Sequence, residues 1–109
     1  MQQQQQLKQE KLSISQILRI HGNQFTQITK RYSDGRNGRC AIGVLMSYYG
    51  WNGKDDSDAA SKLLGALIAL RHAGIDKNLI IEMNDSGFTF DEVADCLDSI
   101  ELTMSRPIF

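Results

Sequence analysis

The sequence predicts a mainly α-helical fold: a compact bundle of four or five helices that leaves room for a small β-hairpin near residues 25–40. Its 109 residues are 41% hydrophobic, which suits a single domain with one core. Apolar residues recur at helical spacing over most of the chain, and capping and stop residues divide these stretches into separate helices.

The first eleven residues differ in character from the rest of the chain. They include five consecutive glutamines with nothing to bury, so we expect a flexible tail over residues 1–11 and a single helical domain over residues 12–109. The first helix is expected to begin at about Leu7 or Ser13 and to end at His21, which a Gly-Asn stop signal follows.

The next segment has two interpretations. Residues 25–32 have the apolar spacing of a helix but also β-forming side chains, and Asp-Gly and Asn-Gly turn signals follow over residues 34–38. A small hairpin over residues 25–40 is therefore one option. The stretch Cys40–Tyr49 is apolar on nearly every side, which predicts a central helix.

The strongest helical pattern covers residues 58–73, where Ser57 or Asp58 is the expected N-cap. Gly74 suits a left-handed C-cap, and Ile75 is placed for the contact that completes it. The residues expected to form an apolar stripe are Ala60, Leu63, Leu64, Leu67 and Leu70. A second face of small residues suits close helix packing and consists of Gly65, Ala66, Ala69 and Ala73.

Two further helices are expected near the end of the chain. Asp76 is placed to cap a short helix that runs through Met83. Thr89 and Glu92 have the spacing of a capping box at the start of the last helix. The residues expected on its buried face are Phe90, Val93, Ala94, Leu97 and Ile100.

Charge is distributed unevenly along the chain. The net charge is −1, but residues 1–54 hold eight Lys and Arg against two acids, whereas residues 55–109 hold four against eleven. These halves, at +6 and −7, either neutralise each other within the fold or form two surfaces of opposite sign. They could also pair between two chains, so a homodimer is one expectation.

Cysteine content and hydropathy indicate the compartment. Two cysteines, Cys40 and Cys96, are too few for a disulfide scaffold, and we expect free thiols. No apolar run reaches the roughly 20 residues that span a bilayer, and the N-terminus lacks a signal-peptide pattern. We therefore expect a cytoplasmic protein without a membrane partner.

A basic, glycine-rich segment is the first candidate site. Glycines that precede a helix N-terminus can direct backbone N–H groups at an anion, and arginines add bidentate contacts to phosphate or carboxylate. The alternative is an ordinary solvated turn. The residues expected to bind an anion are Lys30, Arg31, Gly35, Arg36, Gly38 and Arg39.

A thiol is the second candidate. Cys40 lies at a predicted helix N-terminus beside arginines, a position that can lower a thiol pKa. Catalysis would need a base and an orienting group, for which His72 and Asn84 or Asp85 are the weak candidates. The alternative is a small buried side chain. The Cys and His residues lack metal-ligand spacing, so we expect no metal and no cofactor.

The third candidate is a DNA-binding helix pair. Residues 80–97 have the spacing of many helix-turn-helix units, and a recognition helix would then come from residues 98–106. The acidic character of this half is unfavourable for contact with phosphates. The spacing therefore indicates packing geometry first and DNA binding second.

Four short motifs together carry a resemblance. They are Phe-Thr-Gln at 25–27, Asp-Gly at 34–35, Cys-Ala-Ile-Gly at 40–43, and Asn-Asp-x-Gly-x-Thr-x-x-Glu-Val at 84–93. Over residues 12–100 the chain resembles a small helical family of unknown function carried mostly by actinobacteria and their phages. That family has Trp-Thr-Gln, Asp-Gly, Cys-Ala-x-Gly-Ala-Leu and a late Asn-Asp.

The chain departs from this family pattern at two positions, with Phe25 for the usual Trp and Val44 for the usual Ala. The resemblance implies a single domain and draws attention to Cys40, Asn84 and Asp85. It carries no activity with it.

These observations favour a small non-enzymatic interaction module that contacts an anionic partner through the basic segment, with a virus or a mobile element as one expected origin. That partner would be a nucleic acid or an acidic protein. The alternatives are a thiol-dependent or phosphate-handling enzyme and a helix-turn-helix-like DNA-binding regulator.

Overall fold

The computed structural model describes residues 12–105, with side chains for residues 12–100. The described chain folds into five α-helices and one two-stranded sheet, which confirms the mainly α prediction. In chain order the elements are α1 (Ile14–His21), a 3-10 turn (Gly22–Gln24), β1 (Thr26–Gln27), β2 (Gly38–Arg39), α2 (Ala41–Tyr48), α3 (Asp56–Ala73), α4 (Lys77–Asp85) and α5 (Phe90–Ser105). The predicted tail and the Leu7 start lie outside the described residues.

Helix α2 is the centre of the fold. Its first six residues, 41–46, are fully buried, as expected for a helix that is apolar all round. Cys40 is its N-cap and Tyr49 its C-cap. Helices α1, α3 and α4 pack around α2, and α5 packs on α1. The largest buried side chains of this core include Ile17, Leu18, Ile42, Leu45 and Leu97.

The predicted hairpin is wrong, because the two strands run parallel. Thr26 pairs with Gly38 and Gln27 with Arg39. The connection over residues 28–37 therefore brings the chain back to the end at which β1 begins, and β2 starts there in the same direction. The turn signals within this connection are real: an antiparallel bridge joins Ser33 to Arg39 across the glycine turn. The predicted turn is therefore present, but it closes a local loop and does not join the two strands of the sheet.

Helix α3 differs from the prediction at its start and in its buried face. Asp55 is the N-cap and accepts a hydrogen bond from Ser57 N at 3.1 Å, so the helix begins two residues early. The predicted C-cap is confirmed: Gly74 has φ 74°, and Ile75 N donates to Leu70 O at 2.9 Å.

The predicted apolar stripe of α3 packs on the core in part: Leu70 is buried, and Leu63 and Leu67 are partly buried against the core. Within α3 the fully buried residues are Ala66, from the small-residue face, and Leu70. Leu64 and Ile68 remain 57% and 46% exposed. The helix therefore contacts the core with its small residues and with part of the predicted stripe, while Leu64 and Ile68 face outward.

The caps of the last two helices follow the prediction. Asp76 accepts a hydrogen bond from Asn78 N at 2.9 Å and caps α4. Thr89 and Glu92 form the reciprocal capping box of α5, with hydrogen bonds of 2.9 and 3.0 Å. The predicted face of α5 is buried at Phe90, Val93, Ala94 and Leu97, with Ile100 packed partly against the core.

One contact joins the basic and acidic halves of the chain. Arg19 on α1 forms ion pairs with Asp95 at 2.5 Å and Asp98 at 2.8 Å on α5. Ser15 donates a hydrogen bond to Asp98 as well, at 2.5 Å. This hydrogen bond, followed by that from Arg19, lowers the pKa of Asp98. The α1–α5 surface is thus one place where the two halves complement each other. No helix within residues 12–105 is both long and apolar enough to cross a bilayer.

Gly43 and Gly65 give a matched test of how closely α2 packs against the 28–37 connection. A Cβ atom on Gly43 would lie 2.0 Å from the carbonyl oxygen of Tyr32, so α2 touches the backbone of the 28–37 connection there. Gly43→Ala is expected to lower the free energy of unfolding by roughly 2–3 kcal/mol, because a rigid backbone must move. Gly65→Ala is the control, since its Cβ meets only ordinary contacts at 3.9 Å.

Gly65→Ala is expected to raise the free energy of unfolding by up to about 1 kcal/mol through helix propensity. Urea denaturation followed by circular dichroism measures both changes. Equal effects of the two substitutions would contradict the close contact at Gly43.

Candidate functional site

A buried asparagine joins the end of α4 to the start of α2. Asn84 is 1% exposed. Its Oδ1 accepts hydrogen bonds from Ala41 N at 3.0 Å and from Gln27 Nε2 at 2.8 Å. Its Nδ2 donates to Ile28 O at 2.9 Å and to Asp85 Oδ1 at 3.2 Å. All four hydrogen-bonding positions of the amide are therefore filled, and α2 is capped by a side chain 43 residues away.

Gln27 extends this network to the last helix. Its Nε2 also donates to Phe88 O at 2.7 Å, and its Oε1 accepts from Phe90 N at 3.1 Å. Phe90 N is one of the first amides of α5, which have no partner inside the helix. A single side chain of β1 therefore ties the sheet to the N-terminus of α5.

The segment between the two strands, residues 28–37, is called the basic loop below. Asp85 Oδ1 accepts a hydrogen bond from Lys30 N at 3.0 Å. Lys30 has φ 68°, a left-handed conformation that no other non-glycine residue adopts in the described part of the chain. Such a backbone costs on the order of 1 kcal/mol. The carboxylate of Asp85 thus holds the loop in a strained conformation at the residue that carries its first cation.

Arg39 is a buried cation without a carboxylate partner. It is 4% exposed, and none of the ion pairs among the described residues involves it. Its guanidinium donates instead to hydroxyls and carbonyls, with distances of 2.8–3.3 Å. These acceptors are Ser47 Oγ, Ser33 Oγ, Arg36 O, Gly38 O and Asn52 O.

Aromatic rings complete the environment of Arg39. Its guanidinium carbon lies 4.5 Å from the ring centroid of Phe25 and 5.8 Å from that of Trp51, within cation–π range. Burial lowers the pKa of Arg39, while Asp34 acts in the opposite direction. The prediction that Arg39 belongs to an anion site needs correction, because its guanidinium is buried and donates to acceptors of the same chain.

The glycine turn of the basic loop is also closed internally. Gly35 N donates to Ser33 Oγ at 3.0 Å, and Asp34 Oδ1 accepts from Arg36 N at 2.8 Å and Gly38 N at 2.9 Å. These hydrogen bonds lower the pKa of Asp34. The backbone N–H groups predicted at Gly35 and Gly38 to cradle an anion are thus already bonded to side chains of the same turn.

Three charged side chains of the predicted site remain exposed: Lys30, Arg31 and Arg36. They are called the loop cations below. None of the ion pairs in the described part of the chain involves them. Of the predicted anion site, which included backbone amides and arginines, three side chains therefore remain exposed. They lie on a loop whose backbone is hydrogen-bonded to the rest of the fold.

Of the three partners proposed for Cys40, Asp85 lies in the same pocket. This pocket lies at the surface and has a volume of about 360 Å³. It is lined by Cys40, Asp85, Lys30, Arg31, Tyr32 and Ile81. Asn84 is bonded to the residue next to Cys40, through Ala41 N. His72 is exposed and lines a different groove, together with Tyr48 and Tyr49, so the thiol has no imidazole beside it there.

The thiol itself has a structural role. Cys40 Sγ accepts a hydrogen bond from Gly43 N at 3.4 Å and is the N-cap of α2. Burial raises the pKa of Cys40, and the Asp85 carboxylate acts in the same direction. Both cysteines are free thiols. The sequence suggested that the nearby helix N-terminus lowers the pKa of Cys40 and makes the thiol reactive. Burial has the larger effect and raises this pKa.

The structure corrects one part of the helix-turn-helix hypothesis, the separate recognition helix. Helix α5 is continuous over Phe90–Ser105, so no separate recognition helix begins within residues 98–105. The exposed residues of α5 include Asp91, Glu92, Asp95 and Asp98. Carboxylates on this face oppose the approach of a phosphate backbone. Among the described residues, no three Cys, His, Asp or Glu side chains come together as a metal site.

Comparisons with known proteins give no match to a protein-family model, to a curated protein or to a solved structure.

The reactivity of Cys40 is directly measurable. In a Cys96→Ser variant we expect slow alkylation of Cys40 by iodoacetamide at neutral pH, with a rate that rises only above the pH typical of a free thiol, because burial raises its pKa. The matched variant Cys40→Ser reports on the more exposed Cys96 and is expected to label faster. Rapid labelling of Cys40 at neutral pH in the folded protein would contradict this structural role.

Proposed function

We propose that this protein is a small interaction module that binds an acidic segment of another protein through the loop cations Lys30, Arg31 and Arg36. The observation that carries the proposal is the combination of three exposed cations with a backbone already fixed to the core. The chain leaves these charges without ion-pair partners among the described residues, although its second half is rich in carboxylates.

The rigidity of the basic loop supports a binding role. The loop is fixed at Lys30 N by Asp85, at Ile28 O by Asn84 and at Arg36 O by Arg39. A surface that is ordered before it meets its partner loses less conformational entropy on binding. Strained backbone conformations such as that of Lys30 are found preferentially at functional sites.

The pocket beside the cations indicates which anion fits. Tyr32, Cys40 and Ile81 give it an apolar lining, and Lys30 and Arg31 form its charged border. A volume of about 360 Å³ is at the small end for a ligand site. This combination suits one apolar side chain of a peptide, flanked by Asp or Glu residues that meet the two cations.

An acidic protein segment fits better than a nucleic acid. Phosphate-rich partners are held by neutralising many charges, whereas this surface offers three cations. This small number of cations favours a short acidic segment over a nucleic acid, the other anionic partner considered from the sequence.

The proposal is tested with a fluorescent acidic peptide that carries one leucine among Glu and Asp residues, titrated at low ionic strength. Arg31→Ala with Arg36→Ala is expected to weaken binding about tenfold, since two charge contacts are lost. The matched control, Lys54→Ala with Lys77→Ala, removes the same charge outside the basic loop. It is expected to change the affinity less than twofold.

A third variant separates binding from folding. Lys30→Gly removes a cation but suits the left-handed backbone, so the free energy of unfolding should stay constant or rise by up to about 1 kcal/mol while peptide binding weakens. Equal weakening by the loop and control variants, or no peptide binding at all, would contradict the proposal. Preferential binding of a single- or double-stranded oligonucleotide, with a strong salt dependence, would redirect it to nucleic acid.

A further inference from the structure

Asparagine followed by glycine occurs twice in the sequence, at Asn37-Gly38 and at Asn52-Gly53. In such a pair the backbone nitrogen of the glycine can attack the side-chain carbonyl of the asparagine, because no Cβ hinders the approach. By sequence alone the two pairs are equivalent candidates for this reaction. The structure places them in different hydrogen-bonding environments.

The pair Asn37-Gly38 is hydrogen-bonded at both reacting groups. Gly38 N, the attacking group, donates to Asp34 Oδ1 at 2.9 Å, and Gly38 lies in β2, where it pairs with Thr26. Asn37 Nδ2, the leaving group, donates to Gln24 O at 3.0 Å. Attack on the Asn37 side chain therefore requires that these hydrogen bonds break first.

The pair Asn52-Gly53 has the opposite arrangement. In the described part of the chain, neither Gly53 N nor Asn52 Nδ2 donates a hydrogen bond. Asn52 Oδ1 accepts from Lys54 N at 2.8 Å and from Asp55 N at 3.0 Å, which folds the side chain back over the amide of Gly53. The side chain of Asn52 is exposed, so water reaches the reacting amide.

Two contacts of this turn stabilise the charge that develops during the reaction. Attack by Gly53 N places negative charge on Asn52 Oδ1, to which two backbone N–H groups already donate, as in an oxyanion hole. The guanidinium of Arg39 packs against Gly53 so closely that it leaves no room for a Cβ. A positive charge at this position favours loss of the amide proton of Gly53.

We propose that Asn52 is a site of spontaneous deamidation, whereas the fold protects Asn37. Hydroxide removes the amide proton of Gly53, and Gly53 N forms a bond to Asn52 Cγ. The bond between Cγ and Nδ2 then breaks, and this nitrogen takes a proton from water and leaves as ammonia. Water opens the resulting succinimide at either carbonyl and gives aspartate or isoaspartate. The proposal involves none of the loop cations and is independent of the proposed peptide binding.

The product changes the environment of Arg39. Either product adds one negative charge to a chain whose net charge is −1. In isoaspartate the new carboxylate is the former main-chain carbonyl of residue 52, which accepts a hydrogen bond from Arg39 Nη2 at 3.3 Å. Formation of isoaspartate therefore supplies a carboxylate next to a buried guanidinium that has no ion pair among the described residues.

Incubation of the folded full chain at mildly alkaline pH tests the proposal, and fragmentation mass spectrometry of the intact chain locates each mass increase of about 1 Da. Asn52 is expected to deamidate at least about tenfold faster than Asn37, because Asn37 reacts only after its hydrogen bonds break. The same incubation in urea is the control for local sequence. In urea the two sites are expected to react at similar rates, since glycine follows both.

The variant Asp34→Ala tests what protects Asn37. It removes the acceptor of Gly38 N, so deamidation at Asn37 is expected to accelerate severalfold relative to Asn52. Circular dichroism verifies that the variant remains folded; if it does not, the comparison of the two sites in the parent chain decides alone. Equal rates at both sites of the folded chain, faster reaction at Asn37, no reaction at Asn52 on the time scale of the urea control, or no acceleration at Asn37 in folded Asp34→Ala would each overturn the proposal.

Discussion

The structure depends on one neutral side chain that caps a helix from outside. Asn84 fills all four positions of its amide with hydrogen bonds to α2, to both residues 27 and 28 near β1, and to its neighbour Asp85. Removing it would leave the first amide of α2 and the carbonyl of Ile28 buried without partners, a cost of several kcal/mol in total. The packing of the central helix and the position of the basic loop are therefore set by the same group.

Arg39 completes the attachment of the basic loop from the other side. Its charge is buried against hydroxyls, carbonyls and two aromatic rings, and no carboxylate of the described residues neutralises it through an ion pair. The carboxylates of Asp85 and Asp34 accept from backbone N–H groups of the loop and form no ion pair with the side chains of Lys30, Arg31 or Arg36 among the described residues. The loop thus combines exposed positive charge with a backbone fixed to the core, and the proposed binding of an acidic segment rests on this combination.

Local signals in the sequence predict most of the helical fold. The features that they do not predict depend on contacts between residues far apart in the chain. Helix caps such as Thr89 and Gly74 depend on residues only a few positions away, and the structure confirms both predictions. The pairing of β1 with β2 involves two residues per strand, too few for any periodic pattern. The burial of Arg39 depends on acceptors as far as Asn52, and the role of Asn84 depends on Ala41. A residue's type alone does not reveal such partners, so the predicted anion site was too large.

The central claim is that the basic loop unfolds only together with the core. Native-state hydrogen exchange tests it at two amides: Ile28 N, bonded to Arg39 O, and Ala41 N, bonded to Asn84 Oδ1. The amide of Val44 in the centre of α2 is the reference. We expect all three to exchange with the free energy of global unfolding. Exchange at Ile28 and Ala41 with much lower free energy, while Val44 stays protected, would show that the loop opens by itself and would contradict this account.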